Sequence, residues 1–294
     1  MKKKLLITGA SGFLGYHLLR VASKDWELYG ISNKHDFYFA DTVAVKCDIT
    51  NYIELGNFFD DIEPDAVIHT AALADAAFCQ NNRELSYSVN VDATKNLAGI
   101  CCDFQIPFAY TSTDLVFDGI KGMYIEDDGK NPLSVYGEHK SVAEDEAIKI
   151  YPEATVFRLP LMFGDINASS NNYFSKFLKQ LEAGEKTNLF RDEFRSVCGA
   201  KSISEGILKL FETTSGTIHL AGTERLSRYE FGLKVAKAFS FSEELINSCS
   251  QKDFKTDTPR PADVSLNIDK AISLGFSPLR VADELQLIMT QKYC

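Results

Sequence analysis

Short apolar runs of strand character alternate along the first half of the chain with stretches whose apolar residues recur at helical spacing. The runs cover residues 5–8, 27–31, 43–47, 66–70, 108–112 and 154–159. Between them, residues 12–23, 51–60, 84–103 and 134–150 read as helices, the last beginning after Pro132 with Ser134 as its cap. Alternation of this kind predicts an α/β protein built on a doubly wound parallel sheet. After Leu159 the alternation stops, and residues 164–194 are rich in Asn, Ser, Lys and Phe, as expected of an inserted lobe. A helix at 202–211 and a strand at 217–221 return to the sheet, and the remainder rejoins the small lobe.

Composition narrows the classes. With 294 residues and 45% hydrophobic content, the chain can bury a large core. Lys and Arg total 31 against 41 acidic residues, a net charge of -10 that does not suit a nucleic-acid backbone. The longest apolar runs fall well short of the roughly 20 residues needed to span a bilayer, so a cytoplasmic protein without a membrane partner is expected. Seven cysteines show no C-x-x-C and no His/Cys ligand spacing, which reads as reduced thiols and no metal site.

The chemistry is concentrated in two places. After the first strand stand Gly9, Gly12 and Gly15 in a G-x-x-G-x-x-G arrangement preceded by Thr8, with Leu14, Leu18, Leu19 and Ala22 at helical spacing behind it. Such glycines let the chain turn sharply, bring backbone amides close to a pyrophosphate and pack helix against strand. The phosphates then meet the positive end of the helix. The second place holds Ser112-Thr113-Asp114 at the end of the fifth strand, then Tyr136 and Lys140 four positions apart. Four positions on a helix share a face. An ammonium beside a phenol lowers its pKa from an ordinary value of about 10, which makes Tyr136 a usable acid near neutral pH.

The glycine turn, Thr113, Tyr136 and Lys140, in that order, closely resemble the extended short-chain dehydrogenase/reductase family. The resemblance implies a Rossmann sheet over residues 1–163 plus about 196–222, and a smaller, discontinuous C-terminal substrate lobe over about 164–195 plus 223–294. It also implies a nicotinamide cofactor held by Gly9, Ser11, Gly12, Phe13, Leu14 and Gly15. Ser32, Asn33 and Lys34 would follow the second strand in that site, then Asp48 and Ile49 after the third and Ala71, Ala72 and Leu73 after the fourth. Asn90, Thr111 and Pro160 complete it, together with Tyr136 and Lys140. Asp48 reads equally as a cap before Thr50, and Asn90 equally as a hydrogen-bonded core group. Hydroxyl, amide and ammonium groups at positions 32–34 suit an extra phosphate, while Asp36 reaches the ribose only if its loop folds back. NADP(H) is therefore favoured over NAD(H).

Within that family, Ser112-Thr113-Asp114-x-Val116-Phe117-Asp118-Gly119, the loop 124–132, and Arg260-Pro261 leading to Leu266 and Leu274-Gly275 resemble the dTDP-4-dehydrorhamnose reductase group. The regulatory beta subunit of methionine adenosyltransferase shares this pattern. The implied activity is reduction of a ketone on a nucleotide-linked sugar, with Tyr136 as proton donor, Thr113 on the carbonyl oxygen and Lys140 on the nicotinamide ribose. Asp114 would orient the sugar. Arg195 and Arg260 are candidates for the nucleotide diphosphate because guanidinium forks suit phosphate oxygens, whereas Arg191 reads first as a surface charge. Residues 158–164 lack the tryptophan those reductases carry near their sugar, and Phe13 stands in a turn where they carry a Gln one position later, so a different sugar pocket is expected. A regulatory NADP-binding subunit and an epimerase are the competing readings, and a homodimer is compatible with all three. Leu115 after Asp114, where sugar dehydratases carry Glu, disfavours dehydration.

Overall fold

The apolar run at the N-terminus becomes β1 (Lys4–Thr8), whose last four residues are buried, inside a seven-stranded sheet of a computed structural model that describes residues 2–33, 36–165, 172–254 and 259–293. From β1 the chain runs through α1 (Phe13–Ala22), β2 (Glu27–Ser32), β3 (Thr42–Lys46), α2 (Tyr52–Ile62) and β4 (Ala66–His69). Helices α3 (Ala76–Asn81) and α4 (Arg83–Tyr87), a π-helical turn at Ser88–Asp92 and α5 (Ala93–Phe104) lead to β5 (Phe108–Thr113). Then come α6 (Val135–Ile150), β6 (Thr155–Leu159), β7 (Met162–Phe163), α7 (Tyr173–Glu182), β8 (Thr187–Phe190), β9 (Phe194–Arg195) and β10 (Cys198–Gly199). The described chain closes with α8 (Ala200–Leu210), β11 (Gly216–His219), β12 (Leu226–Ser227), α9 (Arg228–Ala238), β13 (Ile246–Cys249), α10 (Asp269–Ser273) and α11 (Val281–Tyr293).

The sheet order is β11-β6-β5-β4-β1-β2-β3, and every pairing is parallel. β4 and β5 are buried throughout, as expected of strands covered on both faces, while the edge strand β3 is largely exposed. Chain order reverses between β1 and β4, and such a reversal opens a crevice at the carboxyl ends of the strands. One face of the sheet packs Leu5, Ile7, Ala109 and Phe157 against residues of α1 and α8, Leu18 and Ile203 among them. The other packs Leu6, Val67, Phe108 and Tyr110 against residues of α2, α5 and α6.

A third core joins Phe174, Phe177 and Leu178 of α7 to Phe231 and Val235 of α9 and Leu285 of α11. It thus draws on segments before and after the sheet's closing strand. Val264, Leu266, Ile268, Ala271 and Phe276 instead bury in the first core beside β1 and β6. In the two-domain division that we propose, this short stretch therefore goes with the sheet.

The six leading strands and the closing helix and strand lie where the sequence pattern places them, within one or two residues at most ends. The expected single helix at 84–103 is divided instead by the π-helical turn around Asn90. A further short helix, α3, precedes it, capped by Asp75, whose side chain accepts from Phe78 N. No described helix is long and apolar enough to cross a membrane.

Candidate active site

Gly9 follows β1 at a φ of 70°, a left-handed conformation that glycine adopts readily, and a Cβ there would lie 2.7 Å from Ala71 N. At Gly15 a Cβ would sit 2.3 Å from Gly9 O, so only glycine lets α1 close onto the turn. Gly12 N donates to Gly9 O at 2.8 Å and Gly12 caps α1 without a side-chain bond, and the first turn of the helix carries no acidic residue. Its first-turn amides are therefore met by no side-chain cap or carboxylate of their own helix. This turn, with the backbone of residues 71–73 opposite, is a cradle that fits a pyrophosphate.

Behind the cradle, β1 and β4 are tied by a buried chain. Thr8 Oγ1 and His69 Nδ1 are 2.6 Å apart, His69 Nε2 and Thr94 Oγ1 3.1 Å, and Thr94 Oγ1 donates to Asn90 O at 2.8 Å. Burial pushes His69 down to about 3, so it is neutral. A neutral ring in this chain accepts from Thr8 at Nδ1 and donates from Nε2. The Asn90 side chain accepts from Leu73 N at 2.9 Å and donates to Leu73 O at 3.0 Å, fixing the loop after β4. Sequence reasoning missed His69, although a His buried by two strand patterns was a readable signal.

α6 carries Tyr136 and Lys140. Ser134 caps it by accepting from Gly137 N at 3.2 Å, as its position predicts. Gly137 lets the helix approach the Thr113 turn, since a Cβ there would lie 2.3 Å from Leu115 O. Thr113, Tyr136 and Lys140 are all buried, at 7%, 9% and 2% exposure. Thr113 Oγ1 donates to Asp114 Oδ1 at 3.2 Å and accepts from Leu115 N at the same distance. Its hydroxyl must turn from Asp114 to hold a substrate oxygen.

The expected acidification of Tyr136 by Lys140 is not what the structure shows. Burial, assisted by the Asp114 carboxylate, pushes the phenol well above its ordinary value, with the Thr113 hydroxyl pulling the other way. Lys140 Nζ lies 4.2 Å from the centre of the Tyr110 ring, and burial pushes it down to about 7 despite Glu144 nearby. Desolvation outweighs pairing because the two groups share a dry face. Tyr136 is accordingly protonated near neutral pH, and burial makes it a weaker acid than a free phenol.

Asp114 is pushed up to about 6 by burial, with Arg195 opposing. Arg195 Nε lies 3.5 Å from Asp114 Oδ2, and Arg195 Nη2 lies 3.3 Å from Glu193 Oε1. Glu193 also meets Arg228 at 3.7 Å and Arg260 at 3.9 Å. The structure thus brings Arg195 and Arg260 into one cluster with Asp114, and adds Glu193 and Arg228, which sequence reasoning missed. Arg191 is exposed.

At the nucleotide end, Ser32 is buried, Asn33 is exposed, and Lys34 lies outside the described residues. Asp36 pairs with Lys46 at 2.8 Å, and Lys46 is the register partner of Ser32 on β3. Lys46 is a further cation here that the sequence reading passed over. Asp48 Oδ1 accepts from Thr50 N at 3.0 Å and Thr50 Oγ1 at 2.7 Å in a local turn, while Asn51 caps α2 by accepting from Glu54 N. Ile49, Thr111 and Pro160 are buried, and Thr111 Oγ1 donates to His69 O at 3.0 Å. Ser11, Phe13, Ala71, Ala72 and Leu73 are half-buried and Leu14 is buried around the glycine turn. Among the described residues, no group of three or more His, Cys, Asp or Glu is placed to hold a metal ion.

Comparison with known proteins gives consistent neighbours. The model of the RmlD substrate binding domain matches residues 3–293. A probable low-salt glycan biosynthesis reductase of Haloferax volcanii, Agl14, is 29% identical over 284 residues, 95% of each chain. The methionine adenosyltransferase 2 subunit beta of Xenopus laevis is 26% identical over 291 residues, covering 95% of this chain and 85% of that one. The crystal structure of a dTDP-4-dehydrorhamnose reductase from Bacillus anthracis in complex with NADP superposes with a TM-score of 0.87 at 22% identity, covering 99% of this chain and 100% of that one.

Proposed function

Because this chain belongs to the RmlD substrate binding domain family, we propose that it is an NAD(P)-dependent oxidoreductase that reduces a keto group on a nucleotide-linked sugar, using NADPH. The observation that carries the reading is the burial of Thr113, Tyr136 and Lys140 together at the carboxyl edge of the sheet, beside the glycine cradle.

The nicotinamide, when bound, supplies the hydride to the carbonyl carbon. Tyr136, held protonated by burial, donates its phenolic proton to the carbonyl oxygen. Thr113 turns its hydroxyl from Asp114 to the same oxygen and stabilises the charge that develops there. Lys140, pushed down to about 7, is charged in part near neutral pH and donates to ribose hydroxyls of the cofactor. The turn at 9–15 and the loop fixed by Asn90 bind the phosphates. Asp114 orients the sugar, and Arg195 and Arg260 attract the diphosphate from the lobe side.

The preference for NADPH rests on Ser32, Asn33 and Lys46 at the end of β2 and β3. Lys46 neutralises Asp36, the acidic group that would repel a 2′-phosphate. Likeness to the adenosyltransferase beta subunit favours a second reading, cofactor binding without turnover. Both are tested by titrating the protein with NADPH and NADH, then following nicotinamide absorbance after adding dTDP-4-keto-6-deoxy sugars. Oxidation of NADPH supports the reductase. Tight NADPH binding with no oxidation moves the assignment to the regulatory role.

A further inference from the structure

Glu193 is 4% exposed, in the connection between β8 and β9, and its surroundings fix it rigidly. Phe194 N donates to Ala262 O at 2.7 Å, Val264 N to Phe194 O at 3.3 Å, and Arg228 N to Glu193 O at 2.9 Å. The three segments that bear Arg195, Arg228 and Arg260 are therefore pinned around one carboxylate. Oε1 takes the ion pairs with Arg195 and Arg228 at 3.3 and 3.7 Å. Oε2 is buried and accepts no hydrogen bond, with Arg260 Nη1 at 3.9 Å, beyond hydrogen-bonding distance.

The same condition recurs on the other side of Arg195. Asp114 Oδ2 is buried, accepts no hydrogen bond and lies 3.5 Å from Arg195 Nε. Buried carboxylate oxygens normally find donors, and these two flank one guanidinium next to Thr113 and Tyr136. The arginines supply charge balance without supplying the missing bonds. Ionised carboxylates only accept, so the group that satisfies them must bring its own O–H or N–H.

We propose that Glu193 is a substrate-recognising residue, whose Oε2 accepts a hydrogen bond from a hydroxyl of the substrate's sugar. This rests on the nucleotide-sugar reading given above. A fixed acceptor with arginines behind it distinguishes a hydroxylated sugar from a bare nucleotide, and disfavours a carboxylate at the same point of the ring.

The test is calorimetric binding of dTDP and of dTDP-rhamnose to the protein saturated with NADP, for the wild type, Glu193→Gln and Glu193→Asp. The aspartate keeps the charge between the arginines and withdraws the oxygen by one methylene, which guards against a misfolded glutamine variant. The wild type is expected to gain affinity from the sugar. Both variants should lose about ten- to hundredfold of that gain, the range of a hydrogen bond to a charged group, with dTDP affinity nearly unchanged. Equal losses for dTDP and dTDP-rhamnose would mean that Glu193 only organises the arginines, and unchanged affinities would mean that it is inert. Either overturns the inference while leaving the proposed function standing. A wild type that binds neither dTDP nor the sugar nucleotide removes the functional reading, and the inference with it.

Discussion

Single residues in this site are governed by desolvation more than by pairing. Asp114 shows this best: burial raises it from 3.8 to about 6 even with Arg195 beside it. A carboxyl raised on folding binds more protons in the folded than in the unfolded chain. Its contribution to stability is therefore fully present below about pH 4 and is lost as pH rises through about 6. Asp114→Asn is neutral throughout and lacks that slope. Its stability relative to the wild type should rise by on the order of 2–3 kcal/mol between pH 4 and pH 7, read from denaturant or thermal unfolding. Parallel curves for the two proteins would show that Arg195 compensates the buried charge fully. At the same scale, Tyr136 and Lys140 were legible in the sequence as a pair on one helix face, but their electrostatics were not. Spacing reports which groups are neighbours, while the direction of a pKa shift depends on how dry the neighbourhood is.

At the level of elements, the site depends on how closely α6 approaches the turn after β5. Gly137→Ala places a Cβ 2.3 Å from Leu115 O, and backbone on both sides leaves the helix to move. The expected result is a loss of about 10²-fold in kcat, the cost of displacing a reacting group by about an ångström. Unfolding should be easier by roughly 1–3 kcal/mol, as for an overpacked contact. Gly99→Ala in α5, where a Cβ meets nothing within 4 Å, is the control and should keep full activity. The sheet was legible because its strands are buried on both faces and alternate with periodic helices, a pattern that survives without tertiary information. The π-helical turn at Asn90 was not, and the hydrogen bonds of Asn90 to Leu73 that accompany it are made across the fold. Glu193 and Arg228 were equally hidden. Glu193 lies in a short connection without periodicity and Arg228 at the first position of α9, and the pairing of β9 with β12 brings them together.

In the division proposed above, a sheet with its glycine turn joins a lobe around the third core, and the charge cluster draws Asp114 from the turn after β5 together with Glu193, Arg195, Arg228 and Arg260 from the later segments. A ligand that binds only the folded state stabilises it by mass action, about 2.7 kcal/mol at a hundred times Kd. NADPH should therefore raise Tm more than an equal concentration of NADH. Lys46→Glu, which puts a second acidic group beside Asp36, should erase that difference, and its persistence would place the phosphate contact elsewhere. The central claim is that Tyr136 donates a proton to a sugar ketone. It is tested most directly by the rate of NADPH oxidation with a dTDP-4-keto-6-deoxy sugar in the wild type and in Tyr136→Phe, with NADPH affinity measured in both. The account predicts a loss of at least roughly 10²- to 10⁴-fold in kcat with affinity unchanged. Full activity in Tyr136→Phe would contradict it.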